Sequence, residues 1–364
     1  MTAGSATRTR LVSLCTGYGG LDMAVQAVLN VDIVAHCDID PAASRLLAYH
    51  WPDISNLGDL TTLSWCDYRP DIVTAGYPCQ PFSLAGRRQG ADDERHLWPS
   101  IAAGIRRVRP RLVFLENVAG HRTLGLDAVL GDLAADGYDA TWTSIRAADI
   151  GAPHGRERIF ILAADTSGGL CDWRQRQSGE RPSQRAIAAG DRARSGERAV
   201  AEADGARSQG REPAAGRHVS ARSAAADTGS DRPLRGAEQH VGAVDRQRES
   251  QRRDADRRAV RRQSYPKALA ADPRLDWGKY GHAVRRWEQL TRPAPLPTEA
   301  ATFGGQRLNP WFVEWMQGLP AGHVCAVPDL TRSEQLRLLG SGVVPQQGAA
   351  ALSWLLAHLE TAAA

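Results

Sequence analysis

Short apolar runs separated by turn-forming residues follow one another through the first 165 positions of the chain. The runs that predict buried β-strands lie at residues 11–15, 31–37, 71–75, 111–118 and 157–163. Between the first two, residues 21–29 have the spacing of a helix. This pattern indicates an α/β protein built on an open parallel sheet, in which ligands bind outside the carboxyl ends of the strands.

A glycine-rich turn at residues 16–20 follows the first strand. Glycines at such a turn let the backbone approach a ligand and leave the N-terminus of the next helix able to interact with it. The turn lacks the Gly-x-Gly-x-x-Gly spacing, and many glycine loops are ordinary turns. The second strand, however, ends at Asp38, where a carboxylate can bind the two ribose hydroxyls of an adenosine. Together the two features indicate a nucleotide-cofactor site.

The segment at residues 76–83, Gly-Tyr-Pro-Cys-Gln-Pro-Phe-Ser, ends the third strand with a thiol in a tight loop. Pro78 directs Tyr77 towards extended geometry, and the neighbouring glycine and proline restrict the backbone. Cys79 is therefore a candidate nucleophile. The alternative is a small buried hydrophobe, which is what most unpaired cysteines are.

Charged residues at two further strand ends accompany this cysteine. Glu116 lies at the end of the fourth strand and is predicted to face the same crevice as Cys79. Arg156 and Arg158 begin the fifth strand, where they could neutralise an anionic group or hold Glu116 in place.

Six short motifs in this order resemble those of the DNA (cytosine-5) methyltransferases. They lie at residues 17–20, 59–60, 78–80, 116–118, 156–158 and 340–345. Their order and spacing match the family from about residue 10 to 164 and again from about residue 308 to the end. The resemblance implies a doubly wound, Rossmann-like, S-adenosylmethionine-dependent sheet with a smaller, irregular target-recognition region.

The resemblance also implies the catalytic residues Cys79, Glu116, Arg156 and Arg158. Carbon 5 of cytosine is a poor nucleophile, so Cys79 would first add to carbon 6 as a thiolate. Glu116, with a raised pKa, would act as the acid at N3, and Arg158 would orient Glu116 and the ring carbonyl.

The methyl donor that the resemblance implies is S-adenosylmethionine. The residues predicted to bind it are Cys15, Gly17, Tyr18, Gly19, Gly20, Asp38, Ile39, Asp59, Leu60, Pro78, Leu97, Ser341 and Val343. Cys15 stands where the family commonly has an aromatic residue, and Ser341 where it usually has asparagine. The shorter serine could leave room for a larger donor, such as a carboxylated derivative of S-adenosylmethionine.

Contact with DNA is the second implication. Because the target carbon is buried in the duplex, the base must be flipped out, which predicts a mobile loop at residues 83–95. The residues predicted to contact DNA are Gln80, Ser83, Arg87 and Arg88. An ordinary solvated surface loop is the alternative.

Composition adds little to this picture. The 364 residues can hold one large α/β domain and a smaller one, and the net charge of +4 is mild. Arginine dominates the basic residues, which suits phosphates and guanine edges but also suits a GC-rich genome. The six cysteines have no metal-binding spacing, so neither zinc nor a disulfide is expected. Without a signal peptide or a long apolar stretch, a soluble, cytoplasmic protein is expected. It is also expected to be a monomer.

The chain divides into a catalytic and cofactor-binding part at residues 1–164, a variable target-recognition region at 165–305, and a return to the catalytic domain at 306–364. Within the second part, residues 170–262 are rich in arginine, glycine and alanine and are predicted to be largely disordered without DNA. They could order on DNA or serve as a linker. Residues 275–280 and 284–287 would supply the compact part of that region.

Two helices are predicted near the end of the chain. Residues 308–320 predict a helix with an asparagine cap and a proline at its first position, whose aromatic residues pack the recognition region onto the catalytic domain. Residues 346–359 predict an amphipathic helix that covers the sheet beside the first strand.

Three functions are compatible with these features. The leading one is a sequence-specific DNA cytosine methyltransferase of a bacterial modification system or a phage. It would act on double-stranded DNA, and a restriction endonuclease is a candidate partner. The second is a tRNA cytosine methyltransferase of the same fold. The third, a DNA-binding protein with an inactive site, is opposed by the joint presence of Cys79, Glu116 and Arg158.

Overall fold

The structure is a computed structural model that describes residues 8–78, 97–167, 275–301 and 304–362. Its main sheet is formed by β1 Thr9–Leu14, β2 Val31–Cys37, β3 Ile72–Ala75, β4 Leu112–Val118, β5 Tyr138–Arg146 and β6 Glu157–Asp165. The strands lie in the order β2-β1-β3-β4-β6-β5. β1 to β4 run parallel, whereas β6 runs antiparallel to both of its neighbours.

Eight α-helices lie in the described segments. They are α1 Gly20–Val28, α2 Pro41–His50, α3 Trp98–Val108, α4 Leu126–Ala135, α5 Gly281–Leu290, α6 Pro310–Met316, α7 Arg332–Ser341 and α8 Pro345–Ala362. Four of them, α1, α3, α4 and α8, cover the two faces of the sheet. A small hairpin of β7 Thr298–Ala300 and β8 Gln306–Leu308 lies outside the main sheet. The predicted α/β class and the five predicted strands are confirmed, with ends that differ by at most two residues.

Two apolar layers hold the sheet between the helices. On one face, Leu11, Phe114 and Phe160 pack against α1 and α8. On the other, Val73 and Val113 pack against α3 and α4. Because every central strand is covered on both sides, the strands are apolar along nearly their whole length, as expected for parallel strands in an α/β protein.

The last helix lies elsewhere than the sequence predicted. α8 packs along α1 and over β5 and β6, whereas the prediction placed it beside the first strand. A Cβ atom on Gly348 would lie 2.8 Å from Cβ of Ala24 in α1, so the glycine permits the two helices to approach closely. α1 already covers β2 and β3 on this face, which leaves the β5–β6 half of the sheet for α8.

The predicted helix at residues 308–320 is confirmed as α6. The Asn309 side chain caps it by accepting a hydrogen bond from the Trp311 amide, and Pro310 is its first residue. Trp315 donates from its indole to the Arg292 carbonyl, and the Trp287 indole donates to the Trp315 carbonyl. The aromatic residues therefore attach the described residues 275–301 to α6, and the assignment of residues 165–305 to target recognition stays a prediction.

Several predictions concern residues outside the described ranges. They include Cys79, the DNA contacts Gln80, Ser83, Arg87 and Arg88, the loop at 83–95 and the arginine-rich residues 170–262. Within the described segments, no helix is both long enough and apolar enough to span a bilayer.

Candidate active site at the carboxyl ends of the strands

The strand order creates a crevice between β1 and β3. The chain leaves β1 for β2 on one side and later returns to β3 on the other side, which is the switch point where open α/β sheets bind ligands. The glycine turn follows β1, Asp38 follows β2, and residues 76–78 follow β3. The structure therefore brings the predicted cofactor residues and the loop that leads to Cys79 to one edge of the sheet.

The glycine turn is an unusual backbone with three left-handed residues. Cys15, Gly17 and Gly19 have φ angles of 50°, 56° and 79°. Only glycine adopts this region without cost, so Cys15 is strained where it leaves β1. The Gly17 amide donates to Oδ2 of Asp38 at 2.7 Å, which joins the turn to the end of β2.

Each of the three glycines in this turn is required for a different structural reason. A Cβ atom on Gly17 would meet no heavy atom within 4 Å, so the turn is open there. A Cβ on Gly19 would lie 2.8 Å from the Trp51 ring, and one on Gly20 would lie 2.3 Å from the Val343 carbonyl oxygen. Gly17 is thus the glycine that leaves space for a ligand, whereas Gly19 and Gly20 allow the protein to pack on itself.

Asp38 and Ile39 form a site suited to an adenosine. The Asp38 carboxylate accepts hydrogen bonds from the amides of Gly17 and Asp40, and burial raises its pKa. Ile39 beside it is 73% exposed, although large apolar side chains are usually covered. A carboxylate for ribose hydroxyls next to an uncovered apolar side chain for a base fits the predicted cofactor.

Sequence reasoning missed the residue that holds this site. Asn56 accepts from the Asp38 amide at 2.9 Å and donates to the Asp38 carbonyl at 3.0 Å. Both backbone groups of Asp38 are therefore bonded to one side chain. No local pattern around Asn56 marks this role, because it depends on a loop that returns to β2.

Asp59, Leu60, Cys15 and Leu97 are also among the predicted cofactor residues. Asp59 caps a short 3₁₀ turn by accepting from the Thr61 amide and hydroxyl, which lowers its pKa. Leu60 is buried in the core beneath this turn, and Cys15 and Leu97 are partly buried against the same core. Burial also raises the pKa of the Cys15 thiol.

Tyr18 and Val343 join the glycine turn to the closing motif. The Tyr18 ring is fully buried and its hydroxyl donates to the Val343 carbonyl at 2.7 Å. A Cβ on Gly342 would lie 1.9 Å from the Tyr18 ring, so only glycine fits there. The Val343 side chain is buried in the core between α1 and α8. Any contact of these two residues with a cofactor would therefore come from their backbone.

Arg156 holds the closing motif rather than hydrogen-bonding Glu116. Its guanidinium donates to the carbonyls of Gly340 and Gly342 at 2.7 Å and 2.9 Å. Ser341 lies between them, exposed, with its hydroxyl bonded back to carbonyls of α7. Arg156 reaches Glu116 only through its charge, which lowers the pKa of that carboxyl group.

Replacing Arg156 by methionine is expected to lower the free energy of unfolding by about 3 kcal/mol, because two carbonyls lose a charged donor. Urea denaturation measures this. The control is Arg106→Met, which removes an ion pair with Asp136 on a side chain that is 59% exposed. That exposed pair is expected to contribute at most about 1 kcal/mol, and equal losses in the two variants would contradict the assignment.

Glu116 is a buried acid paired with Arg158. Its side chain is 8% exposed, and its Oε1 lies 2.8 Å from Nε of Arg158. Burial raises the pKa of Glu116, and the two arginines partly oppose that shift. A Cβ on Gly76 would lie 3.3 Å from the other carboxylate oxygen, so Glu116 borders the loop that leads to Cys79.

Two residues that sequence reasoning did not assign hold the start of this loop. The Asn117 side chain donates to the Tyr77 carbonyl at 3.3 Å, and the Tyr77 hydroxyl lies 2.8 Å from Nε2 of His121. The Tyr77 ring also packs against Trp98. The backbone is therefore held in place up to Pro78, the last described residue before Cys79. Asn117 lies in a recognised motif, but no sequence signal marks His121.

Known proteins resemble parts of the chain in sequence. A model of the family described as C-5 cytosine-specific DNA methylase matches residues 9–269. Type II methyltransferase M.HgiCII of Herpetosiphon aurantiacus is 34% identical over 172 residues, which cover 45% of this chain and 39% of that protein. Type II methyltransferase M.CviJI of Paramecium bursaria Chlorella virus IL3A is 34% identical over 159 residues, covering 42% of each chain. The matches thus span less than half the length of these curated relatives.

Solved structures share the fold over nearly the whole chain. The S. pombe Dnmt2 methyltransferase superposes with a TM-score of 0.54 at 18% identity, covering 97% of this chain and 99% of that one. The Entamoeba histolytica methyltransferase EhMeth gives a TM-score of 0.53 at 14% identity with the same coverage. Because the family match extends over most of the chain, and the sheet carries its motifs to one edge, the chain belongs to the C-5 cytosine-specific DNA methylase family, whose members use S-adenosylmethionine as methyl donor.

Proposed function

We propose that this chain transfers a methyl group from S-adenosylmethionine to carbon 5 of a cytosine flipped out of duplex DNA, through a covalent intermediate on Cys79. The observation that carries the proposal is the buried pair of Glu116 and Arg158 beside Gly76. It places an acid with a raised pKa next to the loop that leads to the predicted nucleophile.

The cofactor would be held by the open glycine turn at Gly17, by Asp38 and by Ile39. The hydrogen bonds to Asp38 and the exposure of Ile39 support this assignment. When bound, S-adenosylmethionine supplies an electrophilic methyl group.

The remaining chemistry belongs to side chains of the protein. The Cys79 thiolate forms a bond to carbon 6 of the cytosine, which makes carbon 5 nucleophilic. Glu116 in its neutral form donates a proton towards N3, where negative charge develops. Arg158 holds Glu116 in position through the contact of its Nε with Oε1 of the carboxyl group. Loss of the proton from carbon 5 to a base, departure of the Cys79 sulfur and return of the N3 proton to Glu116 then restore the ring, the thiolate and the neutral acid.

The biological setting that we propose is DNA modification in a bacterial cell or an infected host. The similar proteins are named type II methyltransferases, and one of them comes from a virus. A restriction endonuclease that cuts the unmodified site would be the partner, and the enzyme would act as a cytoplasmic monomer.

Mass spectrometry of nucleosides from cells that express the chain tests the proposed function. We expect 5-methylcytosine in DNA and none above background in cells without the gene. Modification confined to tRNA would favour the RNA alternative, and a heavier cytosine adduct would favour the larger donor that Ser341 suggested. No modified cytosine in any nucleic acid would contradict the proposal.

We expect the arginine-rich residues 174–262 to contribute phosphate contacts. Each phosphate that is neutralised adds about −0.9 to the slope of log affinity against log salt concentration, so deleting the segment should make that slope shallower. Fluorescence anisotropy with labelled duplex DNA measures the slope. The matched control keeps the segment length and replaces its arginines by glutamine. An unchanged slope and site preference in both variants would show that the segment is a linker.

A further inference from the structure

A row of polar side chains crosses the buried centre of the sheet. Ser13 of β1 lies in register with His36 of β2 on one side and with Thr74 of β3 on the other. All three are buried, and each lies two residues before the first residue after its strand. Those following residues are Cys15 at the glycine turn, Asp38, and Gly76 at the loop to Cys79.

The preceding row on the same face is entirely apolar. Leu11 pairs with Ile33 and with Ile72, and all three belong to the core beneath α1 and α8. The side chains on this face therefore change from apolar to polar at the last row before the glycine turn, Asp38 and the loop to Cys79.

A β-bulge brings His36 into the polar row. Leu11 pairs with Ile33, but the next residue, Val12, pairs with Ala35, so β2 contains one extra residue at this point. Without the bulge, Ser13 would lie opposite Ala35 rather than His36. Bulges commonly redirect a side chain near functional sites.

Asp22 of α1 lies over this row, two residues after the glycine turn. Its carboxyl group is 1% exposed, and its Oδ1 accepts from the Thr74 hydroxyl at 2.8 Å. The Ser13 side chain also hydrogen-bonds the carboxyl group, and Oδ2 lies 3.9 Å from Nδ1 of His36. Asp22 thus contacts all three strands from one point.

A buried carboxyl group at this position is costly for the fold. Desolvation raises the pKa of Asp22 to about 6, although the hydrogen bonds from Ser13 and Thr74 oppose that shift. Oδ2 of Asp22 and both ring nitrogens of His36 have no hydrogen-bond partner among the described residues. Apolar residues of similar volume would pack here at lower cost, as they do one row earlier.

We propose that Asp22 is a positioning residue for methyl transfer, which holds the ends of β1, β2 and β3 at a fixed spacing beneath the glycine turn, Asp38 and the nucleophile loop. The proposal rests on the function proposed above. It predicts that one buried contact affects cofactor binding and the chemical step together, although Asp22 is not among the residues proposed to bind S-adenosylmethionine or the cytosine.

The first test removes the hydroxyl that Thr74 donates. Thr74→Val keeps the shape of the side chain but leaves Oδ1 of Asp22 without this donor, whereas Thr74→Ser keeps the hydroxyl. We expect Thr74→Val to weaken binding of S-adenosylhomocysteine about tenfold and to slow single-turnover methyl transfer at least about tenfold, and Thr74→Ser to restore both to near the wild-type values. Calorimetry gives the affinity. The affinity and the single-turnover rate are both calculated from the concentration of folded protein.

The matched control is Ile72→Val, which removes a methyl group from the apolar row on the same strand and face. It should lower thermal stability while leaving both functional quantities unchanged. Equal losses in Ile72→Val and Thr74→Val, or a loss of only one quantity in Thr74→Val, would overturn the positioning role. If the wild-type protein binds S-adenosylhomocysteine but methylates no DNA, the proposed function fails while the affinity measurements still decide whether Asp22 positions the cofactor site.

The second test uses pH. His36 is the titratable group that faces Asp22 in the described structure, and burial lowers the pKa of His36 to about 4, so it stays neutral between pH 5 and pH 8. The ionised Asp22 accepts both hydroxyl hydrogen bonds, so wild-type affinity should weaken as the pH falls through about 6. The affinity of Asp22→Asn for S-adenosylhomocysteine should not change as the pH falls through about 6. It should stay near the weaker affinity that the wild-type protein has at low pH. If the affinities of the wild-type protein and of Asp22→Asn changed in parallel with pH, the proposal would be contradicted.

Discussion

Replacing Cys79 with serine is expected to abolish methyl transfer while cofactor binding stays intact. A hydroxyl group is a far weaker nucleophile than a thiol at neutral pH, because almost none of it is ionised. Loss of a covalent nucleophile lowers turnover by about four orders of magnitude or more. A radioactive methyl-transfer assay measures the rate, and calorimetry with S-adenosylhomocysteine checks the cofactor site.

Cys37→Ser is the matched control for this variant. The Cys37 thiol is buried, donates to the Gly58 carbonyl at 3.2 Å, and has its pKa raised by burial to about 12. A hydroxyl can make the same hydrogen bond, so this variant should keep its activity.

Duplex DNA containing 5-fluorocytosine provides a direct readout of the covalent step, because fluorine cannot leave carbon 5 as a proton does. A protein–DNA adduct should accumulate with the wild-type protein and with Cys37→Ser but not with Cys79→Ser. Substantial residual turnover in Cys79→Ser would exclude Cys79 as the nucleophile.

Glu116→Gln is expected to slow methyl transfer by a factor of about 10² to 10⁴, the usual contribution of a positioned general acid. Because burial raises the pKa of Glu116, its neutral form persists to a higher pH than for an exposed glutamate. The wild-type rate should therefore fall as the pH rises through that pKa. Glutamine cannot ionise, so the variant should lose this alkaline decline. Single-turnover rates measured across the pH range give the result.

The control for Glu116 is Glu157→Gln, which changes the acid adjacent to Arg158 in sequence. The Glu157 side chain accepts a hydrogen bond from the Ser144 hydroxyl at 2.6 Å, and the Arg158 guanidinium bonds to the backbone carbonyl of Glu157, at 2.8 Å, which the substitution keeps. Its replacement should leave the rate and the pH profile unchanged. Because Glu116→Gln leaves the charge of Arg158 without its partner, the folded fraction must be measured for each variant. Retention of the alkaline decline in Glu116→Gln would assign that decline to another group.

Local patterns in the sequence were sufficient for the elements around the site. The apolar runs of β1 to β4, the glycine turn and the cap at Asn309 depend on residues close to one another in the chain, so each could be predicted without knowledge of the fold. The residues that hold these elements together could not be predicted from local patterns. Asn56 reaches the backbone of Asp38, and Arg156 reaches the carbonyls of Gly340 and Gly342, across long stretches of chain.

The bulge in β2 is another feature that the sequence does not reveal. The apolar run at residues 31–37 predicts a strand, but a strand prediction does not contain the pairing register. Only the pairing of Val12 with Ala35 shows that His36 turns to the same face as Ser13 and Thr74. The polar row beneath the site thus follows from the sheet and not from any one segment.

The sequence alone was enough to predict which residues carry the chemistry, because the motifs around Cys79, Glu116 and Arg158 combine specific side chains with turn-forming neighbours. How Glu116 and Arg158 meet depends on the tertiary structure. Arg158 lies at the start of its strand, and in an all-parallel sheet that end would be opposite to the end where Glu116 lies. β6 instead runs antiparallel to β4 and places Arg158 opposite Val118. The direction of one strand, which depends on packing across the whole sheet, therefore forms the ion pair at the site.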